Sequence, residues 1–234
     1  STTTSASFGA DFVIGAVDGA SAGKEATTFN YQYGMTLSTS FTGEDSLDLV
    51  IETGNSGSTS SAAILDMNDM SDKMNLDGIT YTFPLGDALT VMVGDSTDVS
   101  ALYSTACTYS AFTDLLSNCG SGTAAGLGGG YAPNSSGTAD DSSSATFAAS
   151  YDFGNGLTIA GGISGAGGET EGLFTEESLD VYGAQVAYNT DSLGVSLSYA
   201  LTETSTTADT TFFGVNAYYS LDGGPSLSIG FESE

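Results

Sequence analysis

Residues 29–41 read Phe-Asn-Tyr-Gln-Tyr-Gly-Met-Thr-Leu-Ser-Thr-Ser-Phe, and no other stretch constrains the fold as tightly. Phe29, Tyr31, Tyr33, Met35, Leu37 and Phe41 hold the odd positions, with Thr39 the one polar exception. Asn30, Gln32, Gly34, Thr36, Ser38 and Ser40 hold the even ones. A strand points successive side chains to opposite sides, so this order builds one apolar face and one wet face. Strands of soluble domains run about five or six residues. An alternation of thirteen residues suits a tilted strand that crosses a hydrocarbon layer, which needs roughly 9–11. A long hairpin arm in a soluble sandwich has the same local pattern, so its recurrence along the chain matters.

It recurs throughout. The expected strands are Ala6–Val17, Phe29–Phe41, Ser46–Thr53, one ending at Ile79–Phe83, Leu89–Val93, Phe147–Phe153, Leu157–Ile163, Tyr182–Tyr188, Leu193–Leu201, Phe213–Leu221 and Leu227–Phe231, eleven in all. Asn155-Gly156 is the strongest short hairpin signal among the turns. The connections alternate in length. Short ones fall at 43–45, 84–87, 154–156, 189–192 and 222–225, and long ones at about 18–28, 54–74, 96–143, 165–177 and 203–209. Short turns on one rim and long loops on the other are the plan of an outer-membrane barrel, with the short turns on the periplasmic side. Phe83, Tyr151 with Phe153, Tyr188 and Tyr219 precede short turns, where an interfacial aromatic girdle belongs. The expected fold is therefore all-β, an antiparallel transmembrane barrel over residues 1–234.

Charge narrows the partners. Two Lys stand against 29 Asp and Glu, a formal charge of −27. A phosphate backbone has to be met by Lys and Arg, so nucleic acid is excluded as a ligand. Anionic substrates and anionic lipid surfaces are disfavoured on the same ground, and cations are favoured. No apolar run approaches the ~18 residues of a membrane helix, which says nothing against a barrel. Ser1 opens directly in Thr/Ser-rich sequence without a secretory leader, which reads as a mature chain or a piece of a longer one. Cys107 and Cys119 are the only thiols, and the chain has no His, which leaves a zinc site short of ligands. The pair reads as a disulfide closing a small loop, which implies an oxidising compartment.

Ala6-Ser7-Phe8, Asp11–Gly19, Asn30–Asn55, Gly78–Asp95 and Tyr109–Asp114, the last beside its cysteines, resemble porins of cyanobacterial outer membranes, particularly those of marine unicellular cyanobacteria. Members carry a surface-layer-homology domain and a coiled coil before a barrel of about sixteen strands. The resemblance implies a homotrimeric outer-membrane channel, embedded in lipid, for passive uptake of ions, carbohydrates and other small nutrients, linked in some members to iron uptake. It also implies that the upstream anchoring domain is absent here and that the closing strands are missing at the C-terminus. Many relatives place basic residues on the strand occupied here by Leu47–Glu52. Asp48 and Glu52 stand there instead, against an anion preference.

Enzymatic chemistry finds no foothold, because without His the common general base and triad partner are both missing. Asp140-Asp141 and Glu176-Glu177 are adjacent loop carboxylates and read as a solvated rim. Asp66, Asp69 and Asp72 recur every three residues and suggest a weakly bound calcium ion, although the Gly and terminal Glu of an EF-hand loop are lacking. The strandless connection 96–143 stands out, since loops of that length are uncommon unless functional or disordered. It is expected to fold into the lumen with a short helix at Tyr109–Leu116, braced by a Cys107–Cys119 bridge contributing about 2–3 kcal/mol. Asp98 and Asp114 would then face Asn30, Gln32, Asp48 and Glu52 across a constriction, and a ring of carboxylates selects cations. The rival reading is a secreted acidic β-sheet protein with a structural or adhesive role, stabilised by calcium. Fractionation separates the two: a barrel leaves the membrane only with detergent, whereas a sandwich needs none.

Overall fold

The computed structural model describes residues 2–16, 26–55, 72–97, 99–104, 144–166, 180–203, 209–222 and 224–233. Eleven strands run β1 Thr3–Gly15, β2 Thr28–Ser40, β3 Ser46–Gly54, β4 Asn75–Leu85, β5 Leu89–Asp95, β6 Ser144–Asp152, β7 Leu157–Ala166, β8 Asp180–Asn189, β9 Leu193–Glu203, β10 Thr210–Ser220 and β11 Ser226–Ser233. Each hydrogen-bonds to its neighbour in sequence, giving a sheet in the order β1 to β11. All eleven expected strands are present, and most of their boundaries shift by one to three residues. β1 begins at Thr3, because its register follows β2 to the end and pairs Thr3 with Ser40. The hydroxyls of Thr4 and Thr39 meet at 3.0 Å there, a polar contact that carries no apolar signal in sequence. β4 continues through Pro84 and Leu85, and Gly86, at φ +74°, makes the turn that follows.

The chain divides into two compact units, the first extending to Thr80 within β4. In the first unit the apolar faces of β1, β2 and β3 are in register. Phe8 pairs with Met35, Phe12 with Tyr31 and Ile14 with Phe29, while Met35 and Leu37 continue to Ile51 and Leu49. The Phe12 ring lies 6.1 Å from Phe29 and 6.5 Å from Tyr31, and Phe8 lies 6.4 Å from Tyr33. These are the direct and diagonal pairs that stabilise one face of an antiparallel sheet. They are also open to the surroundings, with Phe12 68% and Ile14 73% exposed.

The second unit makes the same point more sharply. Along β9, Leu193, Val195, Leu197 and Tyr199 are exposed, while Gly194, Ser196, Ser198 and Ala200 are buried. β8 exposes Val186 and Tyr188 and buries Gln185 and Ala187. Thr146 on β6, Ser164 on β7 and Asn216 on β10 join the buried set. A soluble sandwich buries its Leu, Ile, Val and Phe and leaves Ser, Asn and Gln outside. Here the partition is inverted.

Of the aromatic residues at the short turns, Phe83 is half-buried and the others take the exposed side. Tyr151, Phe153, Tyr188 and Tyr219 are all exposed, and the Tyr151 and Phe153 rings meet edge-on at 4.8 Å. At the Asn155-Gly156 turn, Gly156 has φ +89°, and a Cβ there would overlap the Asn189 carbonyl, so the position admits glycine alone. The turn from β2 to β3 closes on one carboxylate. Asp45 Oδ1 accepts from the Ser40 hydroxyl at 2.9 Å, the Phe41 amide at 3.0 Å, the Thr42 amide at 2.8 Å and the Thr42 hydroxyl at 2.7 Å. Asp45 is buried, so removing it strands four donors. Asp45→Ala is expected to lower the unfolding free energy by about 2–3 kcal/mol in a urea titration in detergent micelles, with Asp45→Asn retaining part of the loss.

Candidate functional site on the polar face

The even-numbered residues of β2 and their partners build the polar face of the first unit. Gln32 stands opposite Asp11 on β1, Gly34 opposite Glu52 on β3, and Ser38 opposite Asp48. Gln32 Nε2 donates to Asp11 Oδ2 at 2.8 Å, which fixes the amide with its oxygen turned from that carboxylate. Asp48 Oδ1 accepts from the Ser46 hydroxyl at 2.9 Å. Glu52 leans over Gly34, where a Cβ would stand 3.8 Å from Oε1, so the glycine leaves room for the carboxylate. No described strand carries a Lys or Arg, and the charge of this face is wholly negative.

Of the expected lining residues, Gln32, Asp48 and Glu52 thus share one face. Asn30 shares it as well but is buried at the end of β2, where its Nδ2 donates to the Asn55 carbonyl at 3.0 Å and helps to tie β2 to the end of β3. Asp98 and Asp114 lie outside the described residues, as do Cys107, Cys119 and the expected helix Tyr109–Leu116. The calcium expectation is only partly visible. Asp66 and Asp69 lie outside the described residues, while Asp72 accepts the Tyr31 hydroxyl at 2.8 Å. Asp11 is a carboxylate of the same polar face that the sequence reading missed. Its signal was present, since it is out of phase with Phe8, Ala10 and Phe12 and so has to share the face of Gln32.

The polar face of the second unit is neutral where the first is acidic. Thr146 lies 2.9 Å from the Ser164 hydroxyl, and Gln185 Nε2 donates to Ser198 Oγ at 3.0 Å. Ser196 and Asn216 face each other in register, both almost fully buried. Among the described residues, neither polar atom of the Asn216 amide has a protein partner.

The chain after β5 returns onto this wall. A 3-10 turn, Val99–Leu102, follows β5 directly. Thr146 donates its hydroxyl to the Thr97 carbonyl at 2.7 Å, anchoring the approach. Val99, at 1% exposure, packs with Val181 of β8 and Ala200 of β9. Asn189 Nδ2 donates to Ser104 Oγ at 2.6 Å, which pins the far end. Burial pushes the Tyr103 phenol well above its usual range, so this hydroxyl stays protonated. Residues 99–104 of the connection 96–143 therefore lie on the polar side of the sheet.

No protein-family model matches this sequence, and no curated protein is significantly similar to it. Solved structures are similar in fold. One engineered variant of the porin from Rhodobacter blastica superposes with a TM-score of 0.58 at 12% identity, covering 99% of this chain and 74% of that one. Another superposes at 0.59 and 14% identity, with the same coverage. At such identities the likeness speaks for architecture alone, and that architecture is the antiparallel β-sheet of porin barrels.

Proposed function

We propose that this chain forms a passive, non-enzymatic diffusion channel in an outer membrane, with a preference for cations. The observation that carries the reading is the inverted partition of the sheet. Leu197, Tyr199, Val186 and Ile159 are exposed, while Ser196, Ser198, Gln185 and Thr146 are buried on the opposite face. An apolar face of this extent requires an apolar surrounding, and hydrocarbon provides it. The polar face then lines an aqueous lumen, where water serves groups such as the Asn216 amide. A secreted acidic sandwich accounts for the charge but leaves the exposed aromatic and aliphatic face without a partner.

Cation preference rests on Asp11, Asp48 and Glu52, which share a face that carries no positive side chain among the described strand residues. Carboxylates on a pore wall raise the local concentration of cations and lower that of anions. Asp98, Asp114 and the Cys107–Cys119 bridge complete the proposed constriction. Small ions and small hydrophilic nutrients, carbohydrates among them, are the proposed solutes. Trimer formation, kinship with cyanobacterial porins and a weak calcium site at Asp66, Asp69 and Asp72 belong to the same proposal.

Planar-bilayer recording under a salt gradient tests it. The detergent-extracted protein is expected to give stable conductance steps with a cation-favouring reversal potential. The combined variant Asp11→Asn, Asp48→Asn, Glu52→Gln is expected to move that potential toward zero while still conducting. An anion-favouring potential in the unmodified protein would contradict the selectivity, and a protein that stays soluble without detergent and never conducts would contradict the channel.

A further inference from the structure

The inner wall of β6 to β9 mixes wet and small apolar positions. Ser, Thr, Asn and Gln hold about half of them, including Thr146, Ser164, Gln185, Ser196 and Ser198, which suits a wet surface. Where Val99 and Tyr103 lie, the inward residues are Gly162, Gly183, Val181 and Ala200 instead. Val181 is also the one inward residue of β8 that is both bulky and apolar. A water-lined wall gains nothing from such a patch, but a protein segment seated on it does.

The fit depends on two missing side chains. A Cβ on Gly183 would overlap the Tyr103 hydroxyl and stand 2.9 Å from Val99 Cγ1. A Cβ on Gly162 would stand 3.1 Å from Val99 Cγ1 and 2.9 Å from Ala148 Cβ. The two glycines are opposite each other in the β7–β8 register, so together they form one shallow seat. Neither has a positive φ, so backbone conformation does not require glycine at either position. Close approach of Val99 and Tyr103 does at Gly183, while at Gly162 Val99 shares that part with Ala148 and the Phe147 carbonyl of the neighbouring strand.

We propose that Gly162 and Gly183 are positioning residues for the channel. They seat Val99–Ser104 flat against the lumen wall, with the Asn189–Ser104 hydrogen bond as the latch at its end, and so hold the pore at a steady width. This rests on the channel reading. A side chain on the seat lifts Val99 and Tyr103 off the wall, and the freed segment then moves within the permeation path.

The test compares the full chain with Gly183→Ala, with Asn189→Ala, which removes only the latch, and with Gly9→Ala, whose added methyl meets nothing within 4 Å. The first readout is open-channel current noise in planar bilayers. The second is chymotrypsin cleavage after Leu102 and Tyr103 in detergent, which needs no conductance. Gly183→Ala is expected to raise the noise several-fold, with added sub-conductance steps, and to speed cleavage. Asn189→Ala is expected to do both more weakly, and Gly9→Ala to match the unmodified chain. If the unmodified chain conducts and Gly183→Ala and Asn189→Ala are as quiet and as protease-resistant as it is, this inference fails and the channel reading stands. If the unmodified chain never conducts, both fail.

Discussion

The structure depends on a single constraint: the strict two-residue period of the strand, applied to a sheet whose faces meet opposite solvents. Once the backbone hydrogen bonds of β1 to β11 are made between neighbours, side chains alone decide which face meets which medium. In β9 the decision alternates residue by residue from Leu193 to Ala200. A slip of one residue would put Leu197 and Tyr199 among Gln185 and Asn216 and turn Ser196 and Ser198 outward, so the pattern fixes register as firmly as it fixes orientation. The short turns reinforce it through local chemistry, with Asp45 collecting four donors and Gly156 passing beneath the Asn189 carbonyl.

On the polar face, charge is distributed unevenly. β1 to β3 carry Asp11, Asp48 and Glu52, whereas the inward positions described on β5 to β9 are uncharged apart from Asp152 at the end of β6. A face that is acidic and has no Lys or Arg among the described strands attracts water and cations, which screen its charge. The Gln32 amide shields Asp11 in part by donating to it. A net charge of −27 therefore suits a wet, cation-attracting surface, and it gives no account of the apolar face on the other side.

Much of this was legible in the sequence, because the signals involved are local. Alternation located all eleven strands, and Asn155-Gly156 marked its turn. The early start of β1 escaped because Thr3, Thr4 and Ser5 are held by pairing with β2 and not by apolar side chains. Asp11 was within reach, since its phase relative to Phe12 assigns its face. The seat for Val99 and Tyr103 was beyond reach. Nothing in the spacing of Gly162, Gly183 and Val181 says that residues 99–104 return to meet them, because that contact is set by tertiary approach and has no period.

The central claim is that odd positions of β9 meet lipid and even positions do not. The chain contains no Trp, so a single introduced Trp reports without background. Fluorescence of Leu197→Trp and of Ser198→Trp, each reconstituted in vesicles containing lipids brominated on their acyl chains, measures the claim most directly. Strong quenching at position 197 and little at 198 is the predicted result. Equal quenching at both, or quenching at 198 alone, would mean that the exposed apolar face of this sheet does not meet hydrocarbon, and the account would fall.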